Sequence, residues 1–320
     1  MPTDKRRKSS FPARVTGWLF KALLAFVGLS ILWVLLYRFV PPPVTATMLA
    51  NAPERGIVKD WTPLDRIDPD MARAVIAGED ARFCSHNGFD WRGIASAAYH
   101  NAQGGRIRGG STVSQQTAKN AFLWQGGGFF RKGLEAWFTL LIEQIWGKRR
   151  IMEVYLNVAE TGIGTYGAEA GSRRYFGHGA DRMTATEAAR IAAVLPLPKK
   201  RGAVAPTGFT RRYGNSILAR MGVVRREGLD DCLDLIPAGR DEEPERKTRP
   251  KRSRDPDAAL EAVVPPPDPL PAEPVAEAEP VAEAEPIDEV APGPVEKFEQ
   301  EPAAEPTEES APQPGGPPPS

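Results

Sequence analysis

One long uninterrupted apolar run and several shorter helical periods organise this chain. The run covers residues 18–40, WLFKALLAFVGLSILWVLLYRFV, with Lys21 and Arg38 as its only charges, one near each end. As a helix rising 1.5 Å per residue it spans about 35 Å, enough to cross a hydrocarbon core of roughly 30 Å, and both charged side chains can reach back to the interfaces. A cleaved signal peptide is the competing reading. Its apolar region usually runs only about 7–15 residues, so the length of this run and the PPP that follows favour an uncleaved anchor. Further on, Thr184 and Glu187 stand in capping-box spacing and open an apolar helical period over 184–195 that stops at Pro196. Residues 133–146 and 150–158 also read as helices, and alternating strand-like runs are scarce. The pattern predicts an all-α class.

Beyond about residue 235 the periods end. The chain passes into RDEEPERKTRPKRSRDPD and then a Pro/Ala/Glu tract with the repeat PVAEAEPVAEAEP, too polar and proline-dense to bury a core. Four segments follow: a basic cytoplasmic stretch at 1–17, an anchor at 18–40, a folded domain at 41–235 and a disordered tail at 236–320. The tail reads as a solvated extension, with a tether to a partner protein or a spacer as the functional alternative.

Charge sharpens this division. Residues 1–40 hold seven Lys/Arg against one Asp, and residues 255–320 hold one Lys against seventeen Asp/Glu, so the neutral total leaves +10 on residues 41–254. A basic middle suits an anionic partner such as a diphosphate or an acidic membrane surface. A nucleic-acid partner is disfavoured, because the arginines neither cluster with aromatics nor sit in a recognisable motif. Lys5, Arg6, Arg7, Lys8 and Arg14 precede the anchor and place the N-terminus in the cytoplasm and the domain outside it, at the cell inner membrane. Cys84 and Cys232, the only cysteines, could pair in an oxidising compartment. Their separation of 148 positions favours two unpaired buried thiols. His86, His100 and His178 lack ligand spacing with them.

Three motifs carry the chemistry: EDARFCSHNGFD at 79–90, GGSTVSQQTAKN at 109–120 and RKGLE at 131–135. In this order and spacing they resemble the signature motifs of the peptidoglycan glycosyltransferases, and the similarity continues through KRRIMEVYLN at 148–157, TGIGTYGAEAGSRRYFG at 161–177 and TATEAARIAAVLPLPKK at 184–200. The monofunctional biosynthetic subfamily is the nearest likeness. The resemblance implies a lysozyme-like helical lobe with a small membrane-associated lobe. FLWQGGGFF at 122–130 is compatible with that dipping surface or with a buried loop. It also implies polymerisation of lipid II into β-1,4-linked glycan strands, release of undecaprenyl diphosphate, and division or elongation proteins as possible partners.

Such a reaction needs a base for the attacking hydroxyl and cations for the departing diphosphate. By itself a Glu followed by Asp is usually a solvated pair. Helical spacing, however, puts Phe83 and His86 on the face of Glu79, with Gly88 as the expected helix stop, and the family's acceptor-activating base falls on Glu79. Asp80 is expected to orient or cap nearby backbone, with His86 structural. Lys119, Arg131 and Lys132 are the candidate phosphate cations. Ser111, Thr112, Gln115, Gln116 and Asn120 add donors at what reads as a helix start, where phosphate is favoured.

Read without the family, these cations form a solvated face, and Arg131 with Glu135 is an ordinary i, i+4 pair. The resemblance instead makes Glu135 a second catalytic carboxylate, acting through a bound Mg²⁺ or by positioning the cations; a carboxylate with phosphate oxygens suits such a hard ion. Glu153, Tyr155 and Asn157 read as packing and capping residues, and Glu160 and Arg173 stay unassigned. One departure is visible: many relatives carry an arginine where this chain has Gly126, Gly127 and Gly128. No S-x-x-K or K-T-G element appears, so no transpeptidase activity is expected. Two rival functions remain. A lytic transglycosylase also uses one principal Glu but needs no cation cluster. A catalytically silent membrane scaffold would find its support in the triple glycine.

Overall fold

The computed structural model describes residues 11–50, 52, 56–103 and 109–235, with side chains from residue 14 onward. The basic cluster at 5–8 and the tail at 236–320 lie outside the described residues. Among the described residues the chain is predominantly helical, as the apolar periods predict. Helix α1 (Phe11–Phe39) contains the apolar run and begins upstream of it; its stretch from Arg14 to Phe39 is long and apolar enough to cross a membrane.

The last turns of α1 are part of the folded domain. Val34 and Ser30 are buried against helix α6 (Gly128–Ile145), with Trp137 Nε1 donating to Ser30 Oγ at 3.0 Å and Trp146 Nε1 donating to the Val34 carbonyl at 2.8 Å. Arg150 caps the open end of α1 through the carbonyls of Tyr37 and Val40. A short helix α2 (Ala46–Ala50) then packs on helix α5 (Val113–Phe122), where Thr47 donates to the Leu123 carbonyl at 2.9 Å.

Two groups of helices build the core. Helix α3 (Pro69–Glu79) packs with α9 (Ala185–Val194) and α10 (Gly208–Glu227), and its buried face, Met71, Ala72, Ala74, Val75 and Ile76, is small enough to allow close approach. Asp68 caps α3 and Pro69 fills its first position. The second group is α5, α6 and α7 (Gly147–Val158). Helix α8 (Ala168–Phe176) touches both groups, beside a small sheet of β1 (Val58–Lys59), β3 (Thr165–Tyr166) and β2 (Glu160–Gly162), in that spatial order, and the largely exposed α4 (Trp91–Ala102) follows α3 in the chain.

Several expectations need adjustment. The helix carrying Glu79 does not continue to Gly88: Asp80 is its C-cap, and residues Phe83–Ser85 form a separate 3₁₀ turn. Asp80 turns inward to bond other backbone, which pulls the chain off the helical path. Phe83 and His86 therefore do not share a helical face with Glu79. The helix expected at 133–146 begins five residues earlier, so Phe129 and Phe130 are helical and exposed, at 96% and 74%, whereas Phe122 and Leu123 are buried. The stretch is thus buried at its start and exposed at its end, and from Gly128 it is helical rather than irregular. The helix at 184–195 has the expected capping box, with Thr184 and Glu187 bonded reciprocally.

The cysteines are a correction. Cys84 and Cys232 form a disulfide with Cα atoms 5.5 Å apart, because the turn after α10 returns to the segment that follows α3. Sequence distance says nothing about such a return.

Candidate functional site

Glu79 sits at the last turn of α3, where the helix ends against α5. Its Oε2 accepts from Gln116 Nε2 at 3.0 Å, and Gln116 Oε1 in turn accepts from the buried hydroxyl of Tyr155 at 3.4 Å. The other oxygen, Oε1, is sealed from solvent and has no hydrogen-bond partner among the described residues. A buried carboxylate oxygen without a donor favours the protonated form. Burial accordingly raises the Glu79 pKa, the adjacent Asp80 charge adds to the rise, and Gln116, Arg201 and Lys119 oppose it.

Asp80 holds the segment in place. Its Oδ2 accepts from Val113 N at 2.9 Å, and both oxygens lie 3.0 Å from His86 Nε2, while Gly88 N donates to His86 Nδ1. Both residues thus take the structural roles expected of them. The same contacts remove Thr112 and Gln115 from the set of ligand donors. Thr112 Oγ1 donates to the Gly88 carbonyl and accepts from Gln115 N, and the Gln115 side chain returns to Thr112 N. Both are buried as a capping box, and the start of α5 is satisfied by protein rather than open to phosphate.

Gln116 and Tyr155, the residues bonded in line from Glu79, also help to line a cleft of about 480 Å³, with Lys119, Asn120, Glu160, Tyr166, Lys199 and Lys200 among others. Lys119 projects from α5, and among the described residues its ammonium has no hydrogen-bond or ion-pair partner. Burial lowers its pKa; Glu135 and Glu79 counter that effect, while Arg131 and Lys132 reinforce it. Tyr166 contributes a buried hydroxyl with no hydrogen-bond partner among the described residues, and burial pushes its phenol up to about 12.

The remaining candidates form a separate cluster on α6. Glu135 is 3% exposed and accepts from Arg131 at 2.7 Å through one oxygen and from Lys132 through the other. Arg131 also donates to the Gly126 carbonyl, and Ser111 Oγ lies 3.5 Å from Lys132 Nζ. Gly126, Gly127 and Gly128 all have positive φ, and a Cβ at Gly127 would meet Arg131 Cβ at 2.9 Å. An arginine in this loop would be strained in the observed backbone.

The expected Mg²⁺ can be weighed against this donor set. Both oxygens of Glu135 are held by cations, and no group of three or more His, Cys, Asp or Glu side chains is arranged for a metal among the described residues. These residues fit a carboxylate that positions cations and do not fit a preformed metal cradle, so no step is routed through an ion.

Sequence reasoning missed part of the cleft wall. Lys199 and Lys200 lie in a stretch that the motifs quoted but gave no role, and Glu160, left unassigned, lines the cleft with its pKa raised by burial. Consecutive lysines after Pro198 were the available signal. Glu153 and Asn157 have the structural roles expected: Asn157 brackets the backbone of Thr62 from both sides at 2.8 and 2.9 Å, and Glu153 accepts from Leu64 N.

Comparison with known proteins gives a consistent result. The sequence profile of the transglycosylase family matches residues 46–222. The biosynthetic peptidoglycan transglycosylase of Caulobacter vibrioides is 50% identical over 216 residues, covering 67% of this chain and 94% of that protein. Those of Rhodospirillum centenum and Pseudomonas putida are 51% and 49% identical, covering 93% and 89% of their own lengths and 66% and 65% of this chain.

Proposed function

The chain belongs to the transglycosylase family, and from that premise we propose how its site builds glycan. It is a monofunctional peptidoglycan glycosyltransferase of lysozyme-like helical fold that polymerises glycan strands for the cell wall. In our reading Glu79 takes the proton of the 4-hydroxyl of GlcNAc on an incoming lipid II. The freed oxygen pair attacks C1 of the MurNAc at the reducing end of the growing strand, a β-1,4 bond forms, and the C1–O bond breaks with its electrons leaving on undecaprenyl diphosphate. Burial of Glu79 supports the base assignment, since a raised pKa makes the ionised carboxylate a better proton acceptor.

The observation that carries the reading is Lys119, a largely desolvated cation lining the cleft whose ammonium has no hydrogen-bond or ion-pair partner among the described residues, Glu135 and Glu79 acting on it only at longer range. Such a cation is open to direct pairing with a ligand anion, and a sugar diphosphate supplies one as it departs. Arg131 and Lys132, aligned by Glu135, extend the positive side, and an Mg²⁺ arriving with the diphosphate is a proposal that chelation tests. Hydrolysis of mature wall gives no use for this charge. The anchor belongs to the inner membrane, with the N-terminus cytoplasmic and the domain periplasmic, where the membrane confines both substrates. The tail remains a candidate tether for division or elongation proteins.

The test offers the detergent-solubilised chain two substrates in parallel, labelled lipid II and purified sacculi. We expect long glycan from lipid II, none with Glu79→Gln, and no soluble fragments from sacculi. Release of fragments from sacculi without polymerisation would favour the lytic rival.

A further inference from the structure

We infer that the Cys84–Cys232 disulfide positions the segment bearing the base, so that the rate of polymerisation depends on the oxidation state of this pair. The inference rests on the reading of Glu79 given above.

Residues 80–90 leave α3 directly after Glu79. Their inner side is fastened by Asp80 to Val113, by Thr112 Oγ1 to the Gly88 carbonyl at 2.6 Å, and by the fully buried ring of Phe83. Lys148 of α7 sits over the Phe83 ring at 4.6 Å, and a covalent tie is added by the disulfide. Cys232 lies in the 3₁₀ turn Asp231–Leu233, and that turn is itself held at two points. Asp230 Oδ2 accepts from Arg73 Nε of α3 at 2.9 Å, and Arg149 of α7 donates to the carbonyls of Leu233 and Asp234. The residues after α10 thus form a clasp across α3, the base segment and α7.

This clasp adds to the family domain, whose profile ends at residue 222, before Cys232. Opening the covalent link leaves the packing of α3, α9 and α10 in place. It frees the edge of the segment that fixes Asp80, and Asp80 sits next to Glu79 and raises its pKa. Cys84 and Cys232 are positioning residues in this account, since neither touches the reacting atoms. Both are only partly buried, so small thiol reagents reach them. Closure joins two thiols into the disulfide and passes two electrons and two protons to a disulfide oxidant, which departs as its two thiols; a thiol reductant reverses the exchange.

The experiment uses the full detergent-solubilised chain in four forms: as isolated, reduced with a phosphine, reoxidised with glutathione disulfide, and as the Cys84→Ser/Cys232→Ser double variant. Alkylation with mass spectrometry counts free thiols, circular dichroism follows melting, and lipid II turnover gives kcat and KM. We expect no free thiol in the isolated chain and a kcat about tenfold lower after reduction and in the double variant, because small misplacements of a catalytic group carry large rate costs. KM and the helical signal at assay temperature stay unchanged. Reoxidation restores the reduced native chain only.

Two free thiols in the chain isolated from its oxidising compartment, or an unchanged kcat after complete reduction, overturns the inference. So does loss of kcat that tracks loss of the folded signal, which marks a purely structural tie. An isolated chain that is oxidised yet inactive on lipid II removes the reading of the site, and this inference with it.

Discussion

Two buried carboxylates, one on α3 and one on α6, are prepared by opposite means. On the α3 side a single carboxylate, Glu79, is left with one oxygen sealed and unbonded, and its pKa rises through desolvation. On the α6 side a buried carboxylate, Glu135, has both oxygens matched by Arg131 and Lys132. Residue type is the same and environment differs. An unsatisfied carboxylate holds a proton more readily and can act as a base, whereas a fully paired one can only organise its partners. Lys119 lies electrostatically between the two and answers to both.

Removing the base should produce the largest effect. Glu79→Gln keeps the shape and the bond to Gln116 but cannot accept a proton, and kcat on lipid II should fall by about 10²–10⁴-fold. Lys119→Met follows, with a loss of about 10²–10³-fold in kcat/KM, the scale of deleting one group that stabilises developing charge. Glu135→Gln should cost less, about tenfold, because the cations remain but lose their alignment. A loss as large as that of Glu79→Gln would break the contrast and make Glu135 a direct participant.

The pH profile sharpens the same comparison. On the proposed roles, activity requires ionised Glu79 and charged Lys119. The acid limb of kcat/KM should therefore lie above the ordinary carboxylate range and the alkaline limb below the ordinary lysine range. Gln116→Leu removes a hydrogen bond that favours the ionised carboxylate, so its acid limb should move to higher pH.

The smallest effect is on stability. A carboxylate whose folded pKa is raised adds stability that is full below its unfolded pKa and lost as pH rises through the folded value. Above its folded pKa the native chain has lost that contribution, so Glu79→Gln should melt higher than native there. The gap should close on acidification, as followed by circular dichroism.

The parts legible in the sequence were those encoded locally. A 23-residue apolar run has few alternatives to a long helix, and Thr184 with Glu187 marks a helix start within four positions. The candidate base, cations and second carboxylate were reached through motif resemblance; the structure puts Lys119 on the cleft wall, Glu79 behind Gln116, and Arg131, Lys132 and Glu135 in a separate cluster on α6. What escaped was non-local or a competition between local partners. The disulfide depends on where α10 returns. Thr112 and Gln115 have side chains equally suited to a ligand or to a helix cap, and the cap is within reach before any ligand arrives. The helix end at Glu79 is set by Asp80 finding Val113 on another helix, which no spacing around Asp80 reveals.

The claim that one side supplies the base and the other holds the diphosphate is tested most directly by separating binding from turnover. Equilibrium binding of lipid II and single-turnover polymerisation would be measured on native, Glu79→Gln and Lys119→Met chains. The account predicts native affinity without turnover for Glu79→Gln, and weakened affinity together with slowed turnover for Lys119→Met. Turnover by Glu79→Gln close to the native rate, with native affinity in both variants, would contradict it.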